Sequence, residues 1–132
     1  RVDNPLVADR RRERVSRIQR KQEVFRALLI ALDEHCVISG ERTKDVLEAA
    51  HIVPASSGGL EVVENGLLLR ADLHRLFDSG LMEISERGVV SVSKSAGTSY
   101  VTALKGKVLQ PQVASRVQAA LKHRRGRKSL KA

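Results

Sequence analysis

Apolar residues along this chain change their spacing from segment to segment, and each change marks an element. Over 10–33, Val15, Ile18, Val24, Phe25, Leu28, Leu29 and Leu32 recur at helical intervals. They predict one long amphipathic helix with a single apolar stripe. The run 36–39 is short and strand-like, ended by Gly40 and a polar turn. Residues 46–53 read as the first strand of a hairpin, closed by Pro54 and the Ser/Gly cluster at 56–59. Residues 60–63 give a second extended run, followed by the turn-prone pair Asn65-Gly66. A short helix is expected over 71–78, with Leu73, Leu76 and Phe77 inward and Gly80 as its stop. Runs 81–84 and 89–92, joined at Glu86-Arg87-Gly88, predict a second hairpin. Residues 100–109 fit no single period, and Pro111 ends them. A last helix over 112–122 turns Val113, Val117, Ala120 and Leu121 inward.

These elements describe an α+β protein. Residues 1–9 read as a linker or frayed start, 10–123 as a single domain, and 124–132 as a basic, mobile tail. With 132 residues the chain can bury one modest core. Aromatics are 2% with no Trp, so that core is built from Leu, Val, Ile and Ala, and a base-stacking platform for single strands is disfavoured. The net charge of +9 points to a polyanion, with nucleic acid the first candidate. The basic start of the first helix, RRRERVSRIQRK, fits both a solvated face and phosphate contact. Cys36 is the only cysteine, so there is no intramolecular disulfide and no CxxC zinc site, and it reads as a small buried thiol. No apolar run is long enough for a membrane span, and no signal peptide is visible. The chain starts at Arg1 rather than Met, as an excised domain would.

The most informative stretch is LEAAHIVPASSGGLEVVENGLLLRADLHRLF, at 47–77. It sets His51, Asn65 and His74 in order around a Gly-rich turn, at intervals of 14 and 9 residues (65 − 51 and 74 − 65). This pattern resembles the active-site motif of the HNH endonucleases. The wording AAHIVP, ENGLLL and DLHRLFDSGL looks most like the branch found in bacterial restriction and defence nucleases. The close resemblance runs over 36–84 and a looser one to His123. It implies a ββα-metal core, flanked here by the long N-terminal helix, the extra hairpin and the C-terminal helix.

The same resemblance implies roles. Phosphodiester hydrolysis needs an activated water, relief of the added negative charge, and help for the leaving oxygen. His51, at the end of the first hairpin strand, stands where the family places its general base. Asn65 stands at the central asparagine, where its amide can donate and accept to tie the loop together. His74 is the first metal ligand expected. Asp78 follows at i+4 on the same helical face, where a carboxylate can share one divalent ion. Many HNH enzymes carry a ligand just before the base; here that residue is Ala50, and Glu48 is the remaining donor on that strand. Mg²⁺ or Mn²⁺ suits a sparse His-plus-carboxylate site, and Zn²⁺ or Ni²⁺ also suit imidazole. Arg70 and Arg75, which bracket His74, and Arg42 and Lys44 are candidates for phosphate contacts.

The expected activity is metal-dependent, largely sequence-nonspecific hydrolysis of double-stranded DNA, with target choice left to a separate recognition or sensor domain. The rival is a silent HNH-like module that grips DNA without cutting, which Ala50 favours. An RNA-binding basic domain explains the charge and leaves the motif unexplained. A cytoplasmic restriction or antiphage protein is the expected setting, and a secreted toxin stays open.

Overall fold

The computed structural model describes residues 13–126, with side chains from Arg20 onward. The expected linker at 1–9, residues 127–132 of the tail, and the side chains of Val15 and Ile18 lie outside the described residues. Helices and two small antiparallel sheets give an α+β fold. In chain order the elements are α1 (Glu13–Asp33), β1 (Leu47–His51), β2 (Gly66–Arg70), α2 (Ala71–Ser79), β3 (Met82–Ile84), β4 (Val90–Val92), α3 (Thr98–Leu104) and α4 (Pro111–Arg125).

The centre is the β1–β2 hairpin, paired from Leu47↔Arg70 to His51↔Gly66. The second strand is therefore 66–70 and not 60–63, which forms part of the loop before it. Its apolar run explains the difference. Leu67, Leu68 and Leu69 are all fully buried, so β2 is covered on both faces and lacks the in–out alternation that marks a half-exposed strand. Burying each of these leucines contributes about 2 kcal/mol. Gly66 is extended (φ −127°) rather than a turn residue. A Cβ there would come within 2.8 Å of the Phe25 and Leu29 side chains, so the glycine lets α1 approach the strand.

Residues 36–39 are a turn, not a strand. Gly40 N–H donates to Cys36 O at 2.9 Å and Cys36 N–H to Glu41 O at 2.8 Å. The segment is apolar because it is packed beside β2, where Val37 N–H donates to Leu68 O at 3.0 Å. In α1, only part of the expected stripe is inward. Phe25 and Leu29 are buried, whereas Val24, Leu28 and Leu32 are 60%, 48% and 52% exposed. The apolar positions of that helix wrap wider than the β1–β2 hairpin they cover.

Helix α2 follows β2 directly and stops at Gly80, whose φ of 79° permits the left-handed cap. The β3–β4 hairpin forms as expected. The ambiguous stretch 100–109 holds the end of α3 and an isolated bridge between Val89 and Val108. Helix α4 starts with Pro111 in its first turn and runs to Arg125, into the segment read as tail. Asp33, whose side chain is 4% exposed, takes a bidentate pair from Arg116 at 2.9 Å and so locks α4 against the end of α1. Among the described residues no helix is long and apolar enough to cross a membrane.

Candidate active site

His51 ends β1 opposite Gly66, the position kept small for α1. Phe25 fills the space beside both, its ring 4.8 Å from the imidazole and tilted by 38°. The Nε2 atom of His51 is buried and, among the described residues, makes no hydrogen bond. Its nearest charged neighbour is Glu61 Oε1, at 3.5 Å. The ring is thus held by packing on one side and faced by a carboxylate on another.

Asn65 is buried and spends its amide on backbone. Its Oδ1 accepts from Val53 N–H at 2.8 Å, and its Nδ2 donates to Val53 O and Leu60 O, both at 3.0 Å. Its own carbonyl accepts from Ile52 N–H at 3.0 Å. These bonds fold the 52–65 loop back on itself immediately after His51. Gly59 completes the crossing, since a Cβ there would lie 1.8 Å from Val53 O. The asparagine reaches the site through this loop rather than by direct contact.

His74 sits on α2 between two carboxylates. Nδ1 meets Glu48 Oε1 of β1 at 2.7 Å, and Nε2 meets Asp78 Oδ2, one turn along, at 3.2 Å. Asp78 and then Glu48 hold the imidazolium, and these pairs outweigh the burial that opposes charge, so the His74 pKa rises above the ordinary 6.5. One groove of about 440 Å³ joins Glu48, Ala49 and His51 of β1 to His74 and Asp78 of α2, with Gln22, Phe25 and Arg26 of α1 as its third wall. Ala50 lies fully buried in the core, so Glu48 is the β1 carboxylate that meets His74.

Imidazole plus two carboxylates is a donor set suited to a divalent cation. Among the described residues no three such groups are already arranged as a cage, because both carboxylates are turned onto the imidazole nitrogens. The donors fit an ion by chemistry, and taking one requires His74 to give up a proton and its carboxylate contacts.

The candidate phosphate-binding cations are scattered. Arg70 gives Nε and Nη2 to Asp72 at 2.6 and 3.0 Å, and Tyr100 donates to the same carboxylate at 2.8 Å. Arg70, and with it Tyr100, hold the Asp72 carboxyl below its usual range. Arg75 is exposed on α2 next to His74. Lys44 is exposed, and its carbonyl accepts from Arg26 at 2.6 Å. Arg42 reaches towards Glu34 at 3.6 Å and lines a different groove, between the end of α1 and the start of α4. The structure therefore joins His51, His74 and Asp78 and leaves Arg42 apart.

Several contributors gave no readable signal in the sequence. Arg26 donates Nε to Leu47 O at 2.8 Å and stands in the groove wall, although its spacing only marked a helix surface. Arg124, from the supposed tail, is 2% exposed. Its guanidinium donates to Ile52 O at 3.0 Å and Phe77 O at 2.7 Å, pairs with Glu83 at 2.9 Å and lies 3.7 Å over the Phe77 ring. It ties the residue after His51 to the residue before Asp78. Within the run HRRGRK nothing in the sequence distinguishes it from the other basic residues.

An antiparallel hairpin leads directly into a helix, with a histidine on the first strand and another on the helix, which is the ββα order that the HNH resemblance implies. Residues 36–85 match the model of the HNH endonuclease family, and this segment of the chain is an HNH domain. HNH nucleases act on DNA and generally use a divalent metal. Comparison with curated proteins found no match.

Proposed function

We propose that this domain hydrolyses phosphodiester bonds of double-stranded DNA, with His51 as general base and a divalent ion held by His74 and Asp78, assisted by Glu48. The observation that carries this reading is the shared groove. It sets an imidazole with no strong hydrogen bond across from a second imidazole gripped by two carboxylates, on a chain of net charge +9. His51 takes a proton from water as the oxygen attacks phosphorus, and the bond to the 3′ oxygen breaks. The ion, when bound, supplies charge neutralisation at the phosphoryl and leaving oxygens. Mg²⁺ or Mn²⁺ fits the oxygen-rich donors best. Arg26 lines the groove, and Arg75 and Lys44 are exposed on the segments that adjoin it, Arg75 next to His74 and Lys44 just before β1. Arg70 retains donors beyond its pair with Asp72, and Arg42 serves a more distant stretch of backbone. Such contacts are sequence-independent and fall with salt. Target choice and a restriction or antiphage role in the cytoplasm belong to segments beyond this domain.

Incubation of supercoiled plasmid at low salt with EDTA, Mg²⁺, Mn²⁺, Ni²⁺ and Zn²⁺, beside His51→Ala, tests the proposal. Metal-dependent nicking that is lost in the variant, with retained DNA binding, is the expected result. The second reading, a DNA-binding module without chemistry, draws on the buried Ala50 and on the carboxylates turned onto His74. It predicts a salt-sensitive gel shift with no cutting under any metal.

A further inference from the structure

We infer that Glu61 is a positioning residue for His51, fixing which ring nitrogen carries the proton. The inference rests on reading His51 as the base. Nε2 of His51 is out of contact with solvent, and among the described residues the one charged group paired with it is Glu61, with Oε1 at 3.5 Å. An unprotonated nitrogen aimed at a carboxylate oxygen sets two lone pairs against each other, whereas an N–H there is attracted. The neutral ring therefore carries its proton on Nε2, and Nδ1 is the nitrogen left to accept a proton from water. When Nδ1 takes that proton, Nε2–H stays directed at the Glu61 carboxylate, which keeps the ring oriented.

The placement of Glu61 is built into the loop. Leu60 O, on one side of it, accepts from Asn65 Nδ2 at 3.0 Å. Val63 O, on the other side, accepts from Arg116 Nε at 3.2 Å. Arg116 is itself held by Asp33 of α1. The asparagine of the motif thus acts on the base through the carboxylate whose loop it pins, which gives its backbone bonds a consequence for the chemistry.

The test pairs a spectroscopic readout with a kinetic one. In the metal-free protein with ¹⁵N-labelled histidine, His51 is assigned by its loss in His51→Ala. Its ring shifts are expected to show the Nε2–H tautomer in the wild type and a mixture in Glu61→Leu. In plasmid cleavage, Glu61→Leu is expected to lose about 10–100-fold in kcat with KM for DNA unchanged, the scale seen when a partner that orients a reacting histidine is removed. Glu61→Gln, whose amide oxygen still accepts from Nε2–H, is expected to recover most of that loss. An Nδ1–H tautomer in the wild type, or wild-type kcat in Glu61→Leu, overturns the inference. If the wild type does not cut, the nuclease reading fails, and the tautomer still decides the placement of the proton.

Discussion

The two histidines of the groove are the same side chain in opposite surroundings. His51 is wedged against Phe25, with one nitrogen buried and a single carboxylate at a loose 3.5 Å. His74 is pinned between carboxylates at 2.7 and 3.2 Å and drawn towards the charged form. On the proposed function, neighbours rather than residue type would separate a proton acceptor from a cation-holding centre. The hairpin supplies the first environment, because the exit of β1 meets α1 and the 52–65 loop. The helix supplies the second, because Asp78 lies one turn from His74 and Glu48 reaches across from β1.

Removal of each histidine in turn probes that division most strongly. His51→Ala is expected to lower cleavage by about 10²–10⁴-fold, the usual contribution of a general base, while DNA binding is retained. A variant that cuts at the wild-type rate would move the base elsewhere. Severing the link between the two environments comes next. Arg124→Met strands Ile52 O, Phe77 O and Glu83, so denaturant unfolding should show a loss of about 3 kcal/mol. A loss within the scatter of surface substitutions would place Arg124 in solvent.

Titration tests the His74 side alone. Its pKa is raised in the folded protein, so the stability it contributes is complete below about 6.5 and is lost as pH rises through the higher folded value. The metal-free protein should therefore weaken as pH rises above about 6.5, and Asp78→Asn should flatten that slope. Ion binding should show the reverse trend and tighten with pH, because the proton on His74 must leave. Calorimetric unfolding across pH 6–9 (about the imidazole range) reads the first effect. A slope unchanged in Asp78→Asn would contradict it. The smallest effect belongs to Phe25→Leu, which removes the ring beside His51. About 1 kcal/mol of stability and a few-fold in rate are expected, measured by the same unfolding and nicking assays.

That both histidines and Asp78 line one groove was readable in the sequence because their spacing lies within one short hairpin-helix unit, where chain order determines geometry. The helix 71–78 and its Gly80 stop were readable for the same reason. The second strand was not. A strand buried on both faces reads as a featureless apolar run, and Asn65-Gly66 looked like a turn although Gly66 is extended. Pleat and packing, which follow only from the assembled fold, put Ala50 in the core and leave Glu48 as the β1 carboxylate on His74. Arg26 and Arg124 were missed because their contacts are made far along the chain, and Glu61 because only the folded loop turns it towards His51. Arg124 reaches Ile52, 72 residues away. Only the folded α4 tells it apart from the other arginines of a basic run.

The most direct test of the division of labour is Mn²⁺ binding, measured by calorimetry on the wild type, His51→Ala and His74→Ala at one pH. The two-environment account predicts that His51→Ala binds the ion like the wild type and that His74→Ala loses it. Undiminished binding in His74→Ala, or loss in His51→Ala, would contradict the account.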